Sequence, residues 1–293
     1  MTKLTKKQIS SALTKVEEFK KLLPEEMGIV LINEIRANGK VRGEAMTVWQ
    51  GVNQEAHPGD PEQRMDIIVD ILMDAKPERS LIPMLELGML KYCLSECFPP
   101  RGTTGKRDLA NIVGGFRLID EDPVMRLTVL MFPFEPCRVK DLLTCANYDP
   151  ETVEWIYDAL NGIEKFMMIR DKVTLKGFIN QMGWDRYYFF NDLMKNLFNV
   201  LPIPNQKKLA KESMVMEIRA DHDPIFTEDL EVTKEDLIEA GIPEDKAEGI
   251  LNDLTDFIHA YPDRNDRKRL LSKGKTFNKN KMARSFRKIR WVK

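Results

Sequence analysis

Asp149-Pro150-Glu151-Thr152-Val153-Glu154-Trp155-Ile156-Tyr157-Asp158-Ala159-Leu160-Asn161-Gly162-Ile163-Glu164-Lys165-Phe166 decides the fold class of this chain. Aspartate before proline is a helix start. The carboxylate accepts from a first-turn amide, and proline lacks an N–H that the first turn would leave unpaired. Val153, Ile156, Tyr157, Leu160, Ile163 and Phe166 then recur at three- and four-residue spacing. That places them on one face of a helix and on no common face of a strand. Upstream, Asp122-Pro123 repeats the device, and Leu109, Ile112, Val113 and Phe116 share a face. Downstream, a helix ends near Met182-Gly183. An aromatic-rich one follows with Trp184, Tyr187, Tyr188, Phe189, Phe190, Leu193 and Leu197, read as core side chains without a cofactor. Pro202-Ile203-Pro204 breaks the pattern before a basic and acidic helix that runs to about Arg219.

Working toward the N-terminus, Pro61 to Ala75 is helical. Lys76-Pro77 opens another helix, and Gly88 ends it. Ile9, Ala12, Leu13, Val16, Phe19 and Leu23 line one face of a helix over residues 7–23. Residues 24–60 are the least periodic. Gly28 to Ile32 and Met46 to Val52 read as short β-like runs, and Ala56-His57-Pro58-Gly59-Asp60-Pro61 as a loop. The expected fold is therefore mainly α, an elongated multi-helical body with a small β element near the N-terminus.

Composition fits a soluble globular chain of 293 residues, 43% hydrophobic and 31% charged. No apolar run approaches the ~18–20 residues that cross a bilayer, and no signal-peptide core follows Met1. A cytoplasmic protein without membrane contact is expected. Cys93, Cys97, Cys137 and Cys145 have neither zinc-knuckle spacing nor a nearby histidine. They are expected to be reduced and mostly buried. The charge is polarised. Residues 264–293 hold thirteen cations against the single acid Asp266, +12 in a chain of net charge −1. The first 263 residues therefore carry −13. Such a tail suits a polyanion.

Before that tail, Thr233-Lys234-Glu235-Asp236 is a helix-start signal, threonine with an acid three residues on. Leu237-Ile238-Glu239-Ala240-Gly241 closes a short helix. Pro243 opens a longer one with Ala247, Ile250, Leu251, Leu254 and Ile258 inward. Hairpins of helices can offer turn amides and helix N-termini to phosphates, although most serve only packing.

Three stretches, in this order, resemble the helical body of class II CCA-adding tRNA nucleotidyltransferases and bacterial poly(A) polymerases. The first is Glu62-Gln63-Arg64-Met65-Asp66-Ile67-Ile68-Val69-Asp70-Ile71-Leu72-Met73, with Lys76-Pro77 and Leu85-Glu86-Leu87-Gly88-Met89-Leu90-Lys91-Tyr92. It is similar to the family's neck. The second, Asp122-Pro123-Val124-Met125-Arg126-Leu127-Thr128-Val129-Leu130-Met131, is similar to the family's D-x-x-x-R-L-A-x-L-L helix. The third runs from Leu230 through Thr233, Asp236-Leu237-Ile238 and Gly241 to Gly249-Ile250-Leu251. It resembles the family's tail element, with Lys234 or Glu235 where the family has a glycine.

The resemblance implies tRNA as ligand, gripped at elbow and acceptor stem through backbone and shape. It also implies five segments: 1–60, an N-terminal helix and a poorly readable region; 61–100, neck-like helices; 101–204, a helical body; 205–272, tail RNA-binding helices; and 273–293, a basic extension. The family's catalytic head is not found. Gly114-Gly115-Phe116-Arg117 and Asp120-Glu121-Asp122 are too closely spaced for its glycine loop, helix and second carboxylate strand. Asp221-His222-Asp223 reads as a polar turn. His57, His222 and His259 do not reproduce the family's His-Asp metal site, where this chain reads Met131-Phe132-Pro133-Phe134-Glu135-Pro136.

The chain therefore reads as a headless RNA-binding protein with no catalytic or metal residue assigned. Magnesium enters only if a partner chain supplies a nucleotidyltransferase head. The expected RNA-binding residues are Arg264, Arg267, Lys268, Arg269, Lys273, Lys275, Lys279, Lys281, Arg284, Arg287, Lys288, Arg290 and Trp291. Trp291, Phe277 and Phe286 are the interleaved aromatics. Thr233, Asp236 and Gly241 are the tail-motif positions. Two alternatives stand beside this reading: a complete, divergent enzyme with Asp66 and Asp70 as metal ligands on a strand, and a helical adaptor that binds no RNA.

Overall fold

The structure is a computed structural model that describes residues 16–41, 43–52, 59–202 and 206–279. Ile9, Ala12, Leu13, His57, Ile203, Pro204, Lys281, Arg284, Phe286, Arg287, Lys288, Arg290 and Trp291 lie outside the described residues. The described residues contain fifteen α-helices and no strand. In order they are α1 (Val16–Phe19), α2 (Pro24–Asn38), α3 (Gly43–Gln50), α4 (Pro61–Leu72), α5 (Glu78–Glu86), α6 (Met89–Cys93), α7 (Gly105–Gly115) and α8 (Pro123–Met131). There follow α9 (Pro136–Cys145), α10 (Pro150–Met168), α11 (Lys172–Val200), α12 (Gln206–Ala220), α13 (Lys234–Glu239), α14 (Glu244–Ala260) and α15 (Arg267–Lys279). No helix among the described residues is long and apolar enough to cross a membrane. They form two compact units, one within Met1–Ile163 and Phe189–Ile203, the other within Glu164–Tyr188 and Pro204–Lys293.

The β element expected near the N-terminus is corrected. Gly28 to Ile32 lies inside α2, and Met46 to Gln50 inside α3, with a turn at Gly51. Pro24 sits in the first turn of α2, and the Glu26 carboxylate accepts from the Leu23 amide at 2.9 Å. Met27, Gly28, Val30, Leu31, Ile32 and Ile35 are all buried. A helix buried nearly all round loses the polar spacing that marks an amphipathic helix, so its short apolar run mimics a buried strand. Gly28 also has a packing reason. A Cβ there would meet the ring of Tyr92 at 2.6 Å, and that ring is held edge-on to buried Trp49.

In this first unit two buried arginines close helix ends. The Arg64 guanidinium donates to the carbonyls of Tyr92 and Cys93 at 3.2 and 2.8 Å and pairs with Glu96. It thereby satisfies the last turn of α6, where a cation also complements the helix dipole. Arg126 does the same for α4, donating to the Leu72 carbonyl and to Asp120 and Ile119 carbonyls at 3.1 and 3.3 Å. Both lie in stretches that carried the family resemblance, and both work here as scaffold.

Asp66 and Asp70 lie on α4, which overturns their placement on a strand. Both are exposed, and Asp70 pairs with Arg36 at 3.5 Å. Asp120 exchanges two hydrogen bonds with Asn196, each 3.0 Å, and Asp122 caps α8 through the Met125 amide. Cys93 and Cys97 are buried, and burial pushes both thiols up to about 12. Cys137 and Cys145 are exposed, contrary to the expectation of mostly buried thiols, because they fall on the outer side of α9.

Candidate nucleic-acid interface

The second unit carries both the basic helix and the hairpin. Thr233 caps α13: its hydroxyl accepts from the Asp236 amide at 3.3 Å, and the Asp236 carboxylate accepts from the Thr233 amide at 2.9 Å. The helix ends in a paired reverse bond, with the Gly241 amide to Ile238 and the Ile242 amide to Leu237. Gly241 supplies the left-handed residue at φ 88° that this ending needs. Pro243 then admits α14. Leu237, Ile242, Ala247, Ile250, Leu251, Leu254 and Ile258 form one core with Leu270 of α15.

α15 is fastened to this core along one narrow stripe. Leu270 and Gly274 are its buried residues, one turn apart. A Cβ on Gly274 would sit 3.2–3.4 Å from side-chain atoms of Leu237, Ile242 and Ile250, so the glycine permits the close approach. Asp236 holds the helix from the side. Its second carboxylate oxygen accepts from Arg267 at 2.6 Å. Lys273 is also committed, over the rings of Phe257 and Phe277 at 4.7 and 5.2 Å. Arg264 lies over Tyr261 at 4.8 Å.

Lys268, Arg269, Lys275 and Lys279 remain on the outer face, exposed, with Ser272 and Thr276 between them. They form no ion pair among the described residues. The row from Lys268 to Lys279 spans about 16 Å at the rise of an α-helix. Asp266, the one acid of the tail, caps α15 through the Arg269 amide at 3.0 Å and so faces the helix start. Arg267, Lys268 and Arg269 crowd that first turn, where cations oppose the helix dipole at about 0.3–1 kcal/mol each. A helix selected for stability alone would not place them there.

On the same unit, Trp184, Ile218, Arg219, His222, Asp223, Pro224, Ile225, Phe226, Asp229 and Asn265 enclose an open hollow of about 560 Å³. Gly183 interrupts α11 at φ 76°, ψ 164°, a conformation that glycine alone adopts readily, and Trp184 begins the redirected helix. Buried Tyr187 meets the indole edge-on at 5.8 Å, and Tyr188 stacks with it at 5.6 Å and 15°. The Arg219 guanidinium covers both rings, 4.7 Å from Trp184 and 5.2 Å from Tyr188. This corrects one expectation: Trp184 and Tyr188 are partly exposed, not core.

Asp221-His222-Asp223 is a turn, as its sequence indicates, and more constrained than a polar loop. It ends α12 with the same paired bonds as α13: the His222 amide to Arg219 at 3.2 Å and the Asp223 amide to Ile218 at 3.0 Å. Here histidine, not glycine, holds the left-handed position, at φ 51°. Buried Lys176 grips the turn, pairing with Asp223 and donating to the His259 carbonyl at 3.1 Å. His259 donates from Nε2 to the Ile225 carbonyl at 2.7 Å, and burial pushes its imidazole below the usual value. Asp229 accepts from the amides of Ile225 and Phe226 at 2.8 Å, and Asn265 ties the Asp229 carbonyl to the Glu231 amide. None of Lys176, Asp229, His259 and Asn265 was legible as a site residue. Lys176, His259 and Asn265 reach partners 34 to 83 residues away, Asp229 accepts from amides three and four residues back, and none has a motif around it.

No group of three or more potential metal-ligating side chains occurs among the described residues. Compared with protein-family models, curated proteins and solved structures, the chain matches none.

Proposed function

We propose that this chain binds RNA, with tRNA as its ligand, through the outer face of α15 and the basic residues that follow it. One observation supports the reading. A thirteen-residue helix with six cations and no acid is fixed by a buried leucine and a close-packed glycine, so that four cations point outward in a row. Fixed cations lose little freedom on meeting phosphates, and the release of counterions drives the association. A-form RNA hides its base edges in a deep groove, so contacts to phosphate and 2′-hydroxyl dominate its recognition.

The choice of tRNA comes from the resemblance to the body and tail of CCA-adding enzymes. So does the further proposal that a separate chain supplies the nucleotidyltransferase head and its magnesium. The test compares tRNA, a 16-base-pair RNA duplex and heparin by fluorescence anisotropy at one salt concentration. A preference for tRNA of tenfold or more over both others is expected. Equal affinity for tRNA and heparin would reduce the helix to a general polyanion binder. Absence of RNA binding would favour the helical adaptor.

A further inference from the structure

We infer that the hollow beside Trp184 takes one unpaired nucleotide, its base over the Arg219 guanidinium that covers the aromatic pair and its phosphate within reach of Arg219 and His222. The proposal deepens the RNA reading, on which it rests for its ligand class, but it uses residues outside α15. Its volume of about 560 Å³ falls inside the roughly 300–1,000 Å³ of small-ligand sites.

The chemistry of the rim selects the ligand. Trp184 and Tyr188 form a stacked pair braced by Tyr187, and the Arg219 guanidinium sits over both rings. Arg219 is exposed and makes no ion pair among the described residues. Three of the nearby acids are paired with lysines. Asp223 is paired with Lys176, Glu217 and Asp221 with Lys172 at 2.8 and 3.3 Å, and one oxygen of Asp229 takes two backbone amides. Arg219 and His222 both line the hollow and can donate to a phosphate. A fixed guanidinium beside an aromatic face matches a flat ring that carries an anion, and a nucleotide is that combination. Pro224, Ile225 and Phe226 supply the apolar edge.

The rim is also preorganised. His259, Asp229 and Asn265 each hold backbone of the segment 225–231, and Lys176 pairs with the Asp223 side chain. His222 keeps a left-handed backbone where glycine would be free of strain, so the side chain is retained at some conformational cost.

The test uses the whole chain with four probes: AMP, adenosine, the single strand r(A)5 and a 16-base-pair RNA duplex. AMP is expected to bind saturably and to change tryptophan fluorescence, with adenosine at least tenfold weaker. Arg219→Ala is expected to lower affinity for AMP and r(A)5 about tenfold or more, the scale of one base-stacking contact, and to leave the duplex unchanged. His222→Gly is expected to lower AMP affinity with no loss of thermal stability, since glycine accepts the backbone conformation. Lys268→Gln with Lys275→Gln should do the reverse, weakening the duplex and sparing AMP.

Binding of r(A)5 without AMP would assign the site to a strand, and binding of both to nucleotides free or linked. Neither probe binding, or Arg219→Ala binding both as wild type does with an unchanged melt, overturns the proposal. Loss of duplex binding alone would sink the RNA reading of α15 and leave the nucleotide site standing.

Discussion

Lys176→Met asks whether the buried ion pair builds the second unit. Methionine has nearly the length of lysine, so the change removes charge and donors with little change in volume. It leaves the Asp223 carboxylate, 8% exposed, without its cation and the His259 carbonyl without a donor. Breaking a buried pair from one side costs about 3–5 kcal/mol. The slight exposure of Asp223 favours the lower end, about 3 kcal/mol. Removing both charges, as Lys176→Met with Asp223→Leu, leaves no buried charge unpaired. The double variant should then lose much less than the sum of the single ones. Hydrogen exchange at amides of α12 and α14 reads this unit by itself. Lys176→Met should speed exchange there about 100-fold, and AMP affinity should fall with it as the turn at His222 loosens. A single-variant loss below about 1 kcal/mol, or strictly additive losses, would refute the reasoning.

Two other perturbations separate backbone from side-chain effects. Nothing lies within 4 Å of a Cβ placed on Gly241, so Gly241→Val acts through its φ of 88° alone. It should cost about 1–2 kcal/mol by thermal melt, and Gly241→Asn clearly less, since asparagine tolerates the left-handed region. Equal losses would mean that packing, not conformation, fixes that position.

His259 gives a pH dependence of definite sign. Burial lowers its folded-state value, the hydrogen bond to Ile225 and the acids Asp256 and Asp223 oppose that shift, and Lys176 assists it. Above about pH 6.5 the ring is neutral in both states and has no effect. As pH falls below that value the unfolded chain takes up the proton first, so stability drops until the folded ring also titrates. Urea titrations at pH 7.5, 6.5 and 5.5 should show a loss in wild type that His259→Gln lacks. A parallel loss in both would assign the pH effect to other groups.

The helical order of the chain was legible from its caps. Asp122, Asp149 and Thr233 each accept from an amide of their helix's first turn, and the breaks at Gly88, Gly183 and Gly241 all have positive φ. Local chemistry of this kind is written in two or three adjacent residues. The failure over α2 and α3 has the opposite cause. Nearly every apolar residue there is buried, and the period that distinguishes helix from strand is lost.

The aromatic platform was misread because Trp184 and Tyr188 share a helix with Phe190, Leu193 and Leu197, which are buried. Only the arginine from another helix marks the difference. Asp236 was legible as a cap but not as the anchor of Arg267, a pairing across thirty-one residues. The hollow also depends on distant pairs such as Lys176 with His259 and His259 with Ile225, which sequence spacing does not encode.

The measurement closest to the central claim is the salt dependence of tRNA binding. Four outward cations, each neutralising one phosphate, contribute roughly 3 to the negative slope of log affinity against log salt. The variant Lys268→Gln, Arg269→Gln, Lys275→Gln, Lys279→Gln keeps Leu270, Gly274 and the Asp236 pair, so α15 should remain docked. A slope shallower than wild type by roughly 3, with weaker binding at low salt, is the expected result. A slope and affinity unchanged from wild type would contradict an RNA interface on this helix.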